Sequence, residues 1–358
     1  MANAETFRPL LRRVQRSLCA VAPRGGRVLV ALSGGGDSVA LLLLMRSLEA
    51  CGDITVAGAA HLNHRLRDAA ADEDEAFCRS VCERLAVPFV AESVDVAALA
   101  ARDKRSIEDA SRRARYAFLE RAADALHADV IATGHTRDDQ AETFLLRLAR
   151  GSGLDGLSAM QPHGPWPAQG FPQLNLARPL LSFSRQELRD YLTLLDQSWL
   201  DDPMNQDLAF DRVKIRKARS ALAEAGLSTA RIAAAASHLA RAREALEIVT
   251  GAVLARATRP LREEGGVLLE SAALAAAPRE VGLRALAAVL MAVGGQPYRP
   301  RFESLERLFD RIADGGFKGG ATLHGCQISP APRKFEGHDL LVRAERPRKT
   351  GSSGGRKK

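Results

Sequence analysis

Residues 28–45 read VLVALSGGGDSVALLLLM, and their reading decides the fold. An apolar, β-branched run stops at Ser33, a cluster of small residues follows, and a second apolar run begins after Asp37. This is a buried strand, a tight loop and a helix. Ser33, Gly34, Gly35, Gly36 and Ser38 leave backbone N–H groups unshielded at a helix N-terminus, where the dipole favours an anion. Such a loop holds phosphate. The plain alternative, a glycine turn without a ligand, is opposed by the lone Asp37 amid apolar flanks.

Three kinds of glycine loop hold phosphate, and two of them fail here. A Walker loop needs GxxxxGK[ST], but no lysine lies between Arg27 and Lys104. A dinucleotide fingerprint needs GxGxxG, and Asp37, Ser38 and Val39 follow Gly36 instead. What remains, SGGGDS, matches the SGGxDS loop of the N-type ATP pyrophosphatases, which split ATP into AMP and pyrophosphate while adenylating a substrate oxygen.

The chain's 358 residues, 46% of them hydrophobic, suffice for two domains, and no apolar run approaches the length of a membrane span. The polar, amphipathic start lacks the apolar region of a signal peptide, which places the protein in the cytoplasm. Cys19, Cys51, Cys78, Cys82 and Cys326 show no disulfide framework. Cys78 and Cys82 share a helical face without a second Cys/His pair, so they read as thiols rather than zinc ligands. The net charge of +8 permits a polyanionic partner.

A first helix over residues 5–20 precedes the strand that delivers Ser33. A second strand, 54–61, runs into HLNHRLR at 61–67. His61 and His64 there make a poor metal pair, since no third ligand stands nearby. At a strand end beside the phosphate loop they read better as nucleotide contacts. A helix over 71–86, a strand over 87–94, a helix over 107–127 and a strand over 128–135 follow. This alternation predicts an α/β fold with a doubly wound parallel sheet.

GHTRDDQAETFLLRLARG, 134–151, is the second informative stretch. DDQAET opens a helix that stops at Gly151. Asp139 and Glu142, three apart, lie on one helical face at the end of a strand. They can hold an ammonium group or Mg²⁺, or take a proton from an amine; a plain acidic first turn predicts the same residues.

SGGGDS, HLNHRLR, GHTRDDQAET, RGSGLDGLSAM, ARPLL at 177–181 and WLDDPMNQDLAFDRVKIR at 199–216 occur in the order found in tRNA(Ile)-lysidine synthases. The chain strongly resembles that family over about residues 20–220. Two positions depart from its pattern. Thr136 stands where GHHxDDQxET has its second histidine, and RNxxR becomes Arg212, Val213, Lys214, Ile215, Arg216.

The resemblance implies that ATP adenylates the C2 carbonyl oxygen of the wobble cytidine in the CAU anticodon of tRNA(Ile). Free L-lysine then attacks C2 through its ε-amine and AMP leaves. The product, lysidine, pairs with A, so the codon read changes from AUG to AUA. It also implies that ATP and Mg²⁺ are bound by Ser33, Gly34, Gly35, Gly36, Asp37 and Ser38, with His61 and His64 nearby and Asp37 as the metal contact. Asp139 and Glu142 would serve lysine, and Arg212 the α-phosphate. A homodimer is compatible with the sequence, and no membrane partner is expected.

From about residue 217 the sequence turns alanine-rich. Ile232, Ala235, Leu239, Ala242, Leu246 and Val249 mark one long helix, another spans 282–293, and two short strands are expected near ATLHGCQI and DLLVRAE. The organisation expected is a catalytic domain over 1–220, a smaller, mostly helical tRNA-binding domain over 221–345 and a basic disordered tail over 346–358. Arg299, Arg301, Arg307, Arg311, Lys318, Arg333 and Lys334 give the second domain a surface for tRNA phosphates. A tRNA 2-thiolating relative would share the loop but needs a reactive cysteine pair, and CRSVC at 78–82 is neither CxxC nor near the loop. A small-molecule amide synthetase would lack the basic second domain, and a non-catalytic tRNA binder would not need DDQAET.

Overall fold

The computed structural model describes residues 2–65, 68–167, 173–201, 211–261, 265–296, 298–315, 317, 319–335 and 337–345. Arg67, Lys318, residues 202–210 of the tryptophan-to-arginine stretch and the 346–358 tail lie outside the described residues. The chain divides into two compact units, Met1–Ala240 and Arg241–Lys358.

The first unit runs α1 (Ala2–Leu18), β1 (Arg27–Ala31), α2 (Gly36–Ala50), β2 (Thr55–Asn63), α3 (Asp68–Arg84), β3 (Phe89–Ser93), α4 (Val96–Asp103), α5 (Ile107–Ala125), β4 (Val130–Ala132), α6 (Arg137–Ala149), α7 (Leu154–Leu157), β5 (His163–Pro165), β6 (Asn175–Ala177), α8 (Arg185–Leu194), α9 (Asp211–Glu224) and the start of α10 (Thr229–Ala257). Its strands form one sheet in the order β3-β2-β1-β4-β6-β5. All neighbours are parallel except the edge strand β5, which is antiparallel to β6.

Both faces of this sheet are covered, which is why its strands read as near-continuous apolar runs. On one face, α2 buries Val39, Leu41, Leu42, Leu44, Met45 and Leu48 against β1, α1 and α8. Each large side chain so buried stabilises the fold by about 1.5–3 kcal/mol. A helix apolar all round can only be an interior one. On the other face, Phe118, Leu119, Ala122 and Ala123 of α5 pack on Leu29, Ile131 and Leu176. The doubly wound parallel sheet expected from the alternation is therefore present. From β1 the chain winds outward to β2 and β3, then returns to β4 on the other side, so the β1/β4 junction is a switch point where a crevice opens at the strands' carboxyl ends.

The second unit holds the rest of α10, then β7 (Thr258–Leu261), β8 (Gly266–Leu269), α11 (Ser271–Ala275), α12 (Arg279–Gly294), α13 (Phe302–Ala313), β9 (Ala321–Leu323), β10 (Cys326–Pro330) and β11 (Leu340–Ala344). Its strands form an antiparallel sheet, β7-β8-β11-β10-β9. Leu269, Leu286, Leu290, Phe309, Ile328 and Val342 belong to its core. The helices expected here are present, but the sheet is larger than two strands. ATLHGCQI is a hairpin rather than one strand: His324 (φ 57°) and Gly325 (φ 72°) both take left-handed backbone, the turn that matches strand twist. β7 and β8 are short, and β7 contains Pro260, so neither carries a readable alternation.

Candidate functional site

The loop after β1 and the turn after β4 face each other across the switch point. Ser38 shapes the first: its hydroxyl donates to the Gly35 carbonyl (2.9 Å) and accepts the Ser33 N–H (3.1 Å), while the two hydroxyls lie 3.0 Å apart. Gly35 caps α2 without a side-chain hydrogen bond. Gly34 has φ +86°, and a Cβ there would come within 2.5 Å of Leu200. The back of the loop is closed by chain from elsewhere: the Leu200 N–H donates to the Gly34 carbonyl at 3.0 Å, and Trp199 packs under Gly36. The loop's inner face is thus bare backbone, as a phosphate cradle requires.

Asp37 is the loop's carboxylate. Burial lifts its pKa to about 6 against the opposing pull of Arg185, with Asp139 and Asp138 adding to the rise. The turn after β4 reaches it through Gly134. There Thr136, the departure from the family pattern, is the N-cap of α6: its N–H and hydroxyl both donate to Asp139 Oδ2 at 2.8 Å, and its hydroxyl accepts from the Asp139 N–H. This is a capping box, and it fixes the start of the acidic turn.

Asp139 and Glu142 do share a face, as their spacing predicts, and both are already paired. Arg185, at the first position of α8, donates to Glu142 Oε1 (2.9 Å) and to Asp139 Oδ1, and its Nε lies 3.4 Å from Asp37 Oδ2. Arg216 of α9 clasps Glu142 through Nε (2.8 Å) and Nη2 (3.2 Å). Asp138, buried, accepts from the Arg185 N–H (3.0 Å) and pairs with Arg219 (2.9 Å). Burial alone would raise Asp139, but Arg185 and its other neighbours hold it below the usual carboxylate range. Sequence reasoning missed Arg185. A signal existed: an arginine in the first turn of a helix opposes the dipole and calls for acidic partners.

A cavity of about 30 Å³ between α6, α9 and the start of α10 is lined by Asp138, Glu142, Arg216 and Arg219 together with Leu145, Ile215, Leu222 and Ile232. Hydrocarbon and charge are mixed in its walls.

On the other side of the turn stands a group of arginines. Burial drives the half-buried His135 imidazole down to about 3; Asp139 counters this, and Arg178, Arg115 and Arg212 reinforce it. Thr133 Oγ1 bonds its Nδ1 at 2.9 Å. Arg212, at the start of α9, therefore lies within electrostatic reach of His135 and Arg115. Arg112 stacks over Tyr116 (4.8 Å) and donates to its hydroxyl, and Tyr116 in turn leans on Trp166. Such a field attracts an anion.

The histidines of HLNHRLR separate. His61 is interior, its Nδ1 3.0 Å from the Leu32 carbonyl and 3.4 Å from Cys78 Sγ, with its pKa lowered by burial. It braces the strand under the loop. His64 is half-buried, pushed to about 4 by burial and by Arg115, and its Nδ1 has no hydrogen-bond partner. The expectation that the cysteine pair stands away from the loop is wrong for Cys78, which α3 brings directly beneath it: a Cβ on Gly34 would stand 3.3 Å from its sulfur. Burial pushes Cys78 up to about 12 and Cys82 to about 11, so both are inert core thiols. Among the described residues no group of three His, Cys, Asp or Glu could hold a metal by itself, and no helix is long and apolar enough to cross a membrane.

Residues 3–220 match the family model of the PP-loop domain. The chain is 40% identical to the tRNA(Ile)-lysidine synthase of Geobacter sulfurreducens over 80% of its own length and 59% of that protein. It is 36% identical to that of Ruegeria pomeroyi over 91% and 74%, and 36% identical to that of Methylobacterium nodulans over 93% and 99%. Among solved structures, the U34-tRNA thiolase NcsA from Methanococcus maripaludis with its [4Fe-4S] cluster shares the fold: TM-score 0.51, 16% identity, covering 67% of this chain and 78% of that one.

Proposed function

Since the chain belongs to the tRNA(Ile)-lysidine synthase family of PP-loop proteins, we propose that it uses ATP to join free L-lysine to C2 of the wobble cytidine in the CAU anticodon of tRNA(Ile). The observation that carries this reading is the meeting, at one switch point, of a bare phosphate loop with an acidic turn held by arginines.

In the first step ATP seats its phosphates on the Gly34–Ser38 backbone. The C2 oxygen of cytidine attacks the α-phosphorus, pyrophosphate leaves, and Arg212 with its neighbours offsets the charge that builds on the α-phosphate. Mg²⁺ fits the chemistry of the loop, because a hard cation usually takes one or two carboxylates and fills its shell with phosphate oxygens and water. Asp37 would hold it, and the ion would neutralise pyrophosphate charge. Asp37 lies in an otherwise uncharged loop, with a side chain 28% exposed.

In the second step the lysine ε-amine attacks C2 and AMP departs. Asp139 and Glu142 orient the ammonium, and one of them takes its proton. The pairing of both carboxylates with one guanidinium supports this, since a place that holds Arg185 between them suits another cation. The second unit would grip the tRNA through Arg301, Arg307, Arg311 and Arg333. A cytoplasmic setting follows from such a substrate. The deciding experiment incubates protein with tRNA(Ile), ATP, Mg²⁺ and lysine and weighs the digested nucleosides. A lysine-sized gain on one cytidine is expected; its absence, with AMP formed even when no RNA is present, would point to a small-molecule ligase.

A further inference from the structure

Every carboxylate oxygen of Asp139 and Glu142 is already engaged. Asp139 Oδ2 accepts twice from Thr136 and Oδ1 accepts from Arg185, while Glu142 Oε1 accepts from both Arg185 and Arg216 and Oε2 from Arg216. Glu142 is 7% exposed and Asp139 13%, so neither has a solvated flank on which a further cation could settle. An ammonium that is to bind both carboxylates must take the place of the donor they share. Thr136 cannot leave without uncapping α6, and Arg216 holds Glu142 at both oxygens. Arg185 can leave. It reaches in from another helix, its side chain is 21% exposed, its third contact, to Asp37, is long at 3.4 Å, and it sits where the helix dipole opposes its charge.

We propose that Arg185 is a built-in competitor for the amine substrate: its guanidinium fills the cation position between Asp139 and Glu142 until the ε-ammonium of lysine takes that position over. This rests on the reading that the turn of α6 receives lysine. Arg185 then acts as a specificity device. A neutral side chain that dislodged it would leave buried Asp139 without its counter-charge and Glu142 with Arg216 alone, which is disfavoured, whereas an ammonium restores the charge and three donors. The exchange is cation for cation, with no bond made or broken and no proton moved.

The test measures the lysine concentration for half-maximal lysidine formation in the wild type, Arg185→Met and Arg185→Lys, with pyrophosphate release from ATP and tRNA followed in parallel. Where the binding-competent state is a minor one, apparent affinity falls by that fraction, so Arg185→Met should lower half-saturation on the order of tenfold even if kcat drops. Arg185→Lys, a point charge that cannot bridge two carboxylates as a fork does, should lower it by a smaller factor. Lysine should also raise the melting temperature of Arg185→Met more than that of the wild type, because it replaces a missing counter-charge. A half-saturation equal to or above the wild type's in Arg185→Lys overturns the proposal, and that variant decides alone if Arg185→Met does not fold. A lysine-induced rise in melting temperature no larger in Arg185→Met than in the wild type also overturns it. If the wild type releases pyrophosphate but makes no lysine-dependent product, the underlying lysine reading has failed and this inference falls with it.

Discussion

A Cβ built on Gly134 would lie 3.1 Å from both the carbonyl carbon and the carbonyl oxygen of Asp37. The turn after β4 and the phosphate loop after β1 therefore touch backbone to backbone, and the distance between the two halves of the site is set by the absence of one methyl group. Gly134→Ala must push the loop back by a few tenths of an ångström, since no flexible side chain is there to yield. Overpacking of this kind costs about 1–3 kcal/mol. The expected result is a modestly lower melting temperature with a larger fall in ATP-dependent pyrophosphate release, both measured on the same preparation.

Asp37→Asn keeps the shape of the side chain and removes its charge. Pyrophosphate release should fall by roughly a hundredfold or more, as when a preorganised electrostatic partner is lost, while tRNA affinity stays near the wild type's. A filter-binding titration beside the release assay separates the two. Release at the wild-type rate would show that Asp37 does not serve the nucleotide.

Neutralising the acidic turn should divide the reaction. Glu142→Gln and Asp139→Asn are expected to spare adenylation and stop lysine transfer, so an AMP–tRNA adduct from labelled ATP should persist when lysine is added. Asp139→Asn also weakens the α6 cap by about 1 kcal/mol, so its melting temperature must be recorded. Parallel loss of pyrophosphate release in both variants would move the pair to the nucleotide site.

Glu187 gives a pH signature at the start of α8, two positions beyond Arg185. Burial would raise it, but hydrogen bonds from Arg13 and from the Ser184 N–H and hydroxyl hold it at about 2, against an ordinary value of 4.5. A carboxylate depressed in the folded state contributes stability that is complete above pH 4.5 and is lost as pH falls towards 2. In Glu187→Gln the fall in stability over that interval should be shallower, as read from denaturant midpoints. An identical acid limb in both proteins would mean that the tie between α1 and α8 contributes nothing.

If the second unit grips tRNA through its arginines, affinity should drop steeply with salt, with a log–log slope of about 0.7–0.9 per phosphate neutralised. Arg307→Ala and Arg311→Ala should each reduce that slope by about one contact and weaken different tRNAs alike. A flat salt dependence would remove phosphate contacts from the account.

What the sequence shows most clearly is what is written locally. The phosphate loop announces itself because small residues interrupt an apolar run, and the acidic turn because DDQAET follows a strand end. Arg185 carries only the local mark of an arginine opening a helix, which names no partner: Asp37, Asp139 and Glu142 stand 148, 46 and 43 positions away. Cys78 likewise looks remote from the loop until α3 lays it under Gly34. Thr136, a departure when set against the family pattern, is intelligible once its hydrogen bonds to Asp139 are visible. In the second unit α13 carries strong apolar spacing and α12 is a long apolar run, so both are legible as helices. Its strands are three to five residues long, too short for alternation to rise above chance.

The bridge between Gly35 and Leu200 has a bearing on how the protein is made. Synthesis runs from the N-terminus, so the glycines at 34–36 leave the ribosome long before the residue that backs them exists. β4 and β6, which complete the sheet beside β1, also arrive late, and pairings so far apart in sequence are slow to form. A nascent chain stopped short of Leu200 carries the whole phosphate-binding sequence without the wall that shapes it. A loop shaped for an anion is thus backed by its own wall only once residue 200 has been made, late in the synthesis of the first unit.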